Sequence, residues 1–456
     1  MKPKKNTEVE LRIDRLVYGG KGIGQVDGFK IFVAGVAPGD LVKVRIFKVK
    51  SKYAEGLLLE VLEPSEGRVQ PKCAHFDTCG GCKWQFLPYE KQLEVKEQQV
   101  RDSIERLADM PGELVQPIIG CSEPWYYRNK MELSFGPGPR EDAERVMIGF
   151  YPPGFHYEVF DLKECHLENE WMADLVGAVR DFANKLGLKV YHSASHEGLL
   201  RNLIIREGKN TGEVMVILVT STETFDHLEE FKALFEAFPQ VSSLYWSTVY
   251  QVKGQPTYRE DKLLSGKETL TEELKCGEQV LSFDILPQAF FQTNTAQAEV
   301  LYSKVLELAD LTGEETVMDL YCGTGTIGLF CAHKAGKVIG IEVNEAAVDS
   351  ARQNAIKNGI KNAVFYLGAV DKRLSTMEES PDVLIVDPPR AGLGEKVVEQ
   401  CAAFEPNRIV YVSCNPTSMA RDLTYFKNLG YKTAHVTPVD MFPQTHHIES
   451  ICLLER

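Results

Sequence analysis

Apolar and polar positions alternate in short runs over residues 7–63, at 9–13, 30–33, 41–46 and 56–61. Glycines at 19, 20, 22 and 24 and the triplet Pro38-Gly39-Asp40 separate the runs. Short strands at regular spacing predict a small β-barrel. The period becomes helical over 88–110, from Pro88 to Met110-Pro111-Gly112. Residues 126–135 then read as a strand in which aromatic and basic side chains interleave. Strands at 203–206 and 214–219 alternate with helices at 169–187 and 225–237, which predicts a central α+β domain. From about 281 the pattern changes again. A helix over 295–309 precedes β-branched strands that end at Leu320, Glu342, Val386 and Ser413, with a helix at 345–358 and a strand at 363–367. Apolar runs alternating with helices predict a doubly wound, Rossmann-like parallel sheet. The chain is thus read as α/β overall, in three parts: 1–63, 64–280 and 281–456.

Composition agrees with a folded chain carrying several cores, at 456 residues with 44% hydrophobic and 25% charged positions. No run approaches the roughly 20 apolar residues of a membrane helix. The basic start, Met-Lys-Pro-Lys-Lys-Asn, lacks the apolar core of a signal peptide, so a cytoplasmic location is expected. In that compartment the eleven cysteines need a reading other than disulfides. The net charge of −14 argues against a nucleic-acid partner until its distribution is considered. Residues 1–52 carry +7, leaving −21 on the remainder. A basic module on an acidic body can still bind RNA. The barrel pattern, its glycine-rich loops and Lys48, Lys50 and Lys52 resemble a TRAM domain, an OB-like RNA-binding barrel.

Cys73, Cys79 and Cys82 follow the spacing C-x5-C-x2-C, with glycines between the last two. Clustered thiolates suit a soft metal centre, and tetrahedral closure needs a fourth ligand. Cys165 is one candidate; Cys121 and His75 are its rivals. Spacing leaves both zinc and a [4Fe–4S] cluster open.

In the last third, Gly323-x-Gly325-x-x-Gly328 follows a strand, and Glu342 ends the next. This matches a dinucleotide fingerprint, so a dehydrogenase is one reading. Asp319 before the loop and Asp387-Pro-Pro-Arg390 at the fourth strand favour S-adenosylmethionine instead, with Asp319 toward its ammonium group and Glu342 on its ribose. Arg390 is placed to meet a phosphate. Cys414 stands at the end of an apolar strand, and Glu449 precedes the last one. His446 and His447 lack companion carboxylates and are read as active-site or packing residues. Chemistry links cysteine, acid and methyl donor. Uracil C5 is a poor nucleophile until a thiolate adds to C6, and a base must remove the C5 proton before the thiolate leaves.

Phe290-Phe291-Gln292-x-Asn294, Asp319-Leu-Tyr321-Cys-Gly-Thr-Gly, Asp387-Pro-Pro-Arg, Ser413-Cys414-Asn-Pro and Phe442-Pro-x-Thr-x-His-x-Glu449 together resemble the RNA uracil-C5 methyltransferase family. Within it, the chain is similar to the ribosomal RNA branch, which carries a TRAM domain and an iron–sulfur cluster. The resemblance implies Cys414 as nucleophile and Glu449 as base. It implies Gln292, Tyr321, Glu342 and Asp387 as S-adenosylmethionine ligands, and Cys73, Cys79, Cys82 and Cys165 as ligands of a [4Fe–4S] cluster. It further implies 23S ribosomal RNA as partner and a helix 88–110 packed on the catalytic domain. The alternatives are the same chemistry on transfer RNA, or a non-catalytic, metal-containing RNA-binding protein.

Overall fold

The computed structural model describes residues 2–155, 158–251 and 254–456. The strands Glu8–Leu16, Gly22–Val26, Phe29–Val33, Tyr53–Glu63 and Leu41–Val49 close, in that order, into a barrel. Its interior is apolar, with Ile13, Ile31, Val33, Val42, Val44 and Ile46 almost fully enclosed. The strand Gly22–Val26 escapes a sequence reading because its glycines look like loop punctuation. They are needed inside the strand. A Cβ on Gly24 would lie 2.2 Å from the Arg12 carbonyl oxygen, and one on Gly22 would lie 2.4 Å from Val36. Asp27 and Gly28, both left-handed, turn this strand into the next.

The central region holds a six-stranded sheet ordered Tyr258–Gly266, Val241–Tyr250, Val214–Thr220, Leu200–Glu207, Lys130–Pro137 and Val146–Gly149. Helices Trp171–Lys185 and Leu228–Leu234 cover one face, receiving Leu203, Ile205, Val216 and Leu218. Ile204, Met215, Ile217 and Val219 point the other way, into a core shared with the hairpin Leu270–Cys276/Gln279–Ile285 and helix Thr295–Ala309. Val214–Thr220 is therefore buried on both faces, which explains its uninterrupted apolar run. The strand expected from 126 begins at Lys130. Tyr126 has φ 54°, and the Tyr127 ring is buried with its hydroxyl donating to the Pro443 carbonyl at 3.0 Å, so neither side chain belongs to a strand face.

The last third is a seven-stranded sheet ordered Ala363–Leu367, Lys337–Glu342, Thr316–Leu320, Val383–Val386, Arg408–Ser413, Glu449–Glu455 and Lys432–Val439. The first five strands run parallel; Glu449–Glu455 is antiparallel to both of its neighbours. Helix Tyr89–Leu107, far upstream in the chain, buries Val100 and Ile104 with Met318, Leu384 and Tyr411 of this sheet. Leu16 and Ala37 of the barrel pack with Trp84, Phe86 and Leu87, and Arg15 forms an ion pair with Asp102 of that helix. The barrel thus docks on segment 84–87 and on helix Tyr89–Leu107. Among the described residues no helix is long and apolar enough to cross a membrane.

Candidate active site

Thr316–Leu320 lies between Lys337–Glu342 and Val383–Val386, so the strand order reverses there and opens a crevice at the carboxyl ends. Tyr321, Gly323 and Gly325 turn the chain with φ of 62°, 54° and 78°. Asp319 is 1% exposed. Its Oδ2 accepts from the Gly328 N–H at 2.9 Å, while Oδ1 has no partner. Burial raises this carboxyl to about 8, the Gly328 bond opposing. An unpartnered buried carboxylate oxygen beside a glycine turn suits a cationic group and repels a pyrophosphate.

A cavity of about 990 Å³ extends from this crevice. Its walls include Gln292, Tyr321, Glu342, Asp387, Arg390, Cys414 and Glu449, so these candidates face one space, while Asp319 lines a smaller adjoining pocket with Gln292, Tyr321 and Asp387. Burial lifts Asp387 to about 7. Glu342 is fixed by the backbone. Its Oε1 accepts from Val343 and Asn344 N–H at 2.8 Å each, and Oε2 from Gly323 N–H at 3.1 Å. Of the carboxylate's roughly four acceptor positions, about one is left for a ribose hydroxyl.

Register explains how the two catalytic candidates meet. Ser413 pairs with Ser450 across antiparallel strands, so the next position outward sets Cys414 opposite Glu449. Glu449 is buried, and burial and then Asp387 raise its carboxyl well above the usual range. Burial, then Glu449 and Asp387, raise the Cys414 thiol to about 11, with Arg390 opposing. Arg390 is exposed at the cavity wall. It approaches His447 Nδ1 at 3.2 Å and lies against the cysteine. The neighbouring His446 and His447 rings stand 4.3 Å apart, and burial lowers His447 to about 4. Asn415 holds this turn from behind. It caps helix Pro416–Asn428 through Thr417 N–H at 3.1 Å and donates to the Arg390 carbonyl at 2.9 Å.

Other parts of the chain hold the remaining wall. Asn129 donates to the Gln292 carbonyl at 2.9 Å, and its own N–H donates to Thr293 at 2.9 Å. Asn294 caps helix Thr295–Ala309 and donates to the Met441 carbonyl at 3.0 Å. Phe290 stands 69% exposed at the cavity mouth. Tyr18, from the barrel's Gly19-Gly20 turn, brings its hydroxyl within 3.4 Å of the Cys414 carbonyl. The pattern around Tyr18 contains no signal for this role, because the contact depends on domain docking.

Cys73, Cys79, Cys82 and Cys165 line a second cavity, of about 210 Å³. Burial raises Cys82 and Cys165 to about 12. Among the rival ligands, Cys121 is elsewhere, beside Glu123 and Asn294, and His75 Nε2 already accepts from Lys163 N–H at 3.0 Å. Among the described residues no three His, Cys, Asp or Glu side chains stand close enough to hold a metal ion between them.

Residues 247–456 match the tRNA (Uracil-5-)-methyltransferase family, and residues 2–59 match the TRAM domain. An RNA methyltransferase of Halalkalibacterium halodurans is 38% identical over 455 residues, spanning 99% of this chain and 97% of the relative. The chain belongs to the RNA uracil-5-methyltransferase family. Another relative, an RNA methyltransferase of Caldanaerobacter subterraneus subsp. tengcongensis, is 38% identical and spans 100% of this chain and 99% of its own. Among solved structures, the tRNA (uracil-54, C5)-methyltransferase of Pyrococcus abyssi, in complex with S-adenosyl-L-homocysteine, superposes with a TM-score of 0.77. It is 30% identical and covers 97% of this chain and 100% of its own. For this RNA methyltransferase, family membership removes the dehydrogenase reading of the glycine loop. The buried acids around that loop supply the physical reason.

Proposed function

We propose that this methyltransferase transfers a methyl group from S-adenosylmethionine to C5 of a uridine in RNA, through a covalent adduct between Cys414 and C6. The observation that carries this reading is the pairing of Cys414 with Glu449 at one strand end, in a cavity shared with Gln292, Tyr321, Glu342 and Asp387. The unpartnered Asp319 Oδ1 and Asp387 in the cavity wall fit the cationic methyl donor. When bound, that donor supplies an electrophilic methyl group on a sulfonium. Cys414 Sγ attacks C6, and the ring electrons move to form an enolate. C5 then takes the methyl group, whose bond to the sulfonium breaks with the electron pair left on sulfur as a neutral thioether. Glu449 accepts the C5 proton, and the electrons of that C–H bond expel the Cys414 thiolate, restoring the C5–C6 double bond. The high proton affinity that burial confers on Glu449 suits it to this last step. Arg390 offsets the surrounding negative charge and favours the thiolate.

For the second cavity we propose a [4Fe–4S] cluster held by Cys73, Cys79, Cys82 and Cys165. Four sulfurs around about 210 Å³ suit a cluster. A single zinc ion, with bonds of about 2.3 Å, would need them to converge more tightly. Such a cluster supplies a rigid cross-link between 73–82 and 165. Iron and sulfide analysis of anaerobically purified protein separates the two.

As substrate we propose ribosomal RNA of the 23S class, which the resemblance implies. Transfer RNA is the second reading, favoured by the Pyrococcus abyssi enzyme, which shares nearly the whole architecture. Mapping 5-methyluridine in total RNA with and without this protein tests both. Loss of the mark from one RNA class names the substrate, and an unchanged map refutes the activity.

A further inference from the structure

The segment that delivers Glu449 is common to both cavities. Phe442 and Glu449 line the catalytic one, and Thr445 lines the cysteine one. Between them Gln444 is buried in a left-handed conformation, φ 67°. A non-glycine residue stays there only when its surroundings over-determine it. Here the surroundings come from another part of the chain. Gln92, fully buried on helix Tyr89–Leu107, accepts from Gln444 N–H at 2.9 Å and donates to Gln444 Oε1 at 2.9 Å. The same amide donates to the carbonyls of Trp84 at 3.2 Å and Leu87 at 3.0 Å. The N–H groups of Lys83 and Trp84, next to Cys82, both donate to the Gln444 carbonyl, at 2.8 and 3.1 Å.

We propose that Gln92 is a positioning residue for the catalytic base, acting through Gln444 to hold Glu449 against C5 of the substrate. This rests on the reading of Glu449 as base. A buried amide with no water available keeps its partners in one geometry, because any other arrangement leaves donors and acceptors unpaired. The helix thereby sets the path of the chain leading to Glu449, while Cys414, at the end of the strand paired with Glu449–Glu455, is held in addition by the Asn415 cap.

Because the Gln92–Gln444 bonds act on the segment before Glu449 and not on the Asn415 turn, their loss has a distinctive signature. Displacing the base leaves addition and methyl transfer intact but slows release, so covalent protein–RNA adduct accumulates. A merely structural loss would lower adduct and product together. The test uses the full-length protein, a substrate RNA transcript and S-adenosylmethionine, with adduct read on a denaturing gel alongside 5-methyluridine formation. Glu449→Gln is the reference and is expected to accumulate adduct. Gln92→Met keeps side-chain length and removes the hydrogen bonds. Gln444→Ala removes only one partner and leaves the helix untouched, so it reports even where Gln92→Met does not fold. Gln444→Ala is expected to raise the adduct-to-product ratio by roughly fivefold, the effect of one net hydrogen bond, and Gln92→Met by at least as much, both with RNA affinity unchanged. If Glu449→Gln accumulates adduct and Gln444→Ala keeps the wild-type ratio, the positioning role is overturned. If Glu449→Gln itself gives no excess adduct, the base assignment has failed instead.

Discussion

Asp319→Asn should stabilise the ligand-free protein while weakening its hold on S-adenosylmethionine. The carboxyl is 1% exposed, with one oxygen on Gly328 N–H at 2.9 Å and the other unpartnered. Burial raises it from 3.8 to about 8. A carboxyl raised in the folded state contributes stability that is complete below its unfolded value and is lost as pH climbs toward the folded one. At neutral pH the unfolded chain therefore gains about 2–4 kcal/mol by ionising it. Asparagine removes that penalty and keeps the acceptor for Gly328, but leaves a buried amide N–H₂ that costs about 1–3 kcal/mol. The balance is a gain of about 1 kcal/mol near pH 7, or roughly 2–4 °C in melting temperature, shrinking as pH falls toward 5. Binding should weaken by about tenfold or more, since a charge-assisted hydrogen bond to the ammonium group is lost. Scanning fluorimetry across pH and titration calorimetry with S-adenosylmethionine read both effects. A variant less stable at pH 7 that binds the ligand with unchanged affinity would refute the reasoning.

Three other outcomes are expected. Lys96 and Asp440 are both fully buried and paired at 2.6 Å, so Lys96→Met should cost about 3–5 kcal/mol in urea denaturation. Adding Asp440→Asn should recover part of that loss. Asn294→Ala removes a helix cap and the bond to Met441, and should cost about 2 kcal/mol by the same measurement. With its thiol near 11, Cys414 in the ligand-free protein should react with iodoacetamide about tenfold faster per pH unit; a plateau below pH 9 contradicts the assigned environment.

The parallel sheet was legible because its inner strands are buried on both faces and end at polar turns, as at Val386-Asp387 and Ser413-Cys414. The cofactor-side and catalytic candidates were legible because their spacing follows those strand ends, and the cavity gathers them. The strand Gly22–Val26 was hidden by glycines that exist for close backbone approach. Tyr126 and Tyr127 looked like a strand face because φ and the Pro443 contact are invisible in a residue pattern. Gln92 and Lys96 lie on a helix whose polar positions ordinarily face water. Only tertiary packing shows that these two are fully buried against the segment carrying Gln444 and Asp440. Tyr18 reaches Cys414 across nearly the whole chain length.

The central claim is a covalent bond between Cys414 and the target uracil. Incubating the protein with S-adenosylmethionine and substrate RNA containing 5-fluorouridine tests it directly, because fluorine at C5 cannot be removed as a proton. The account predicts a stable adduct whose RNA fragment, already methylated, maps by mass spectrometry to the peptide carrying Cys414. Methylation without any adduct at Cys414, or an adduct mapped to another cysteine, would contradict it.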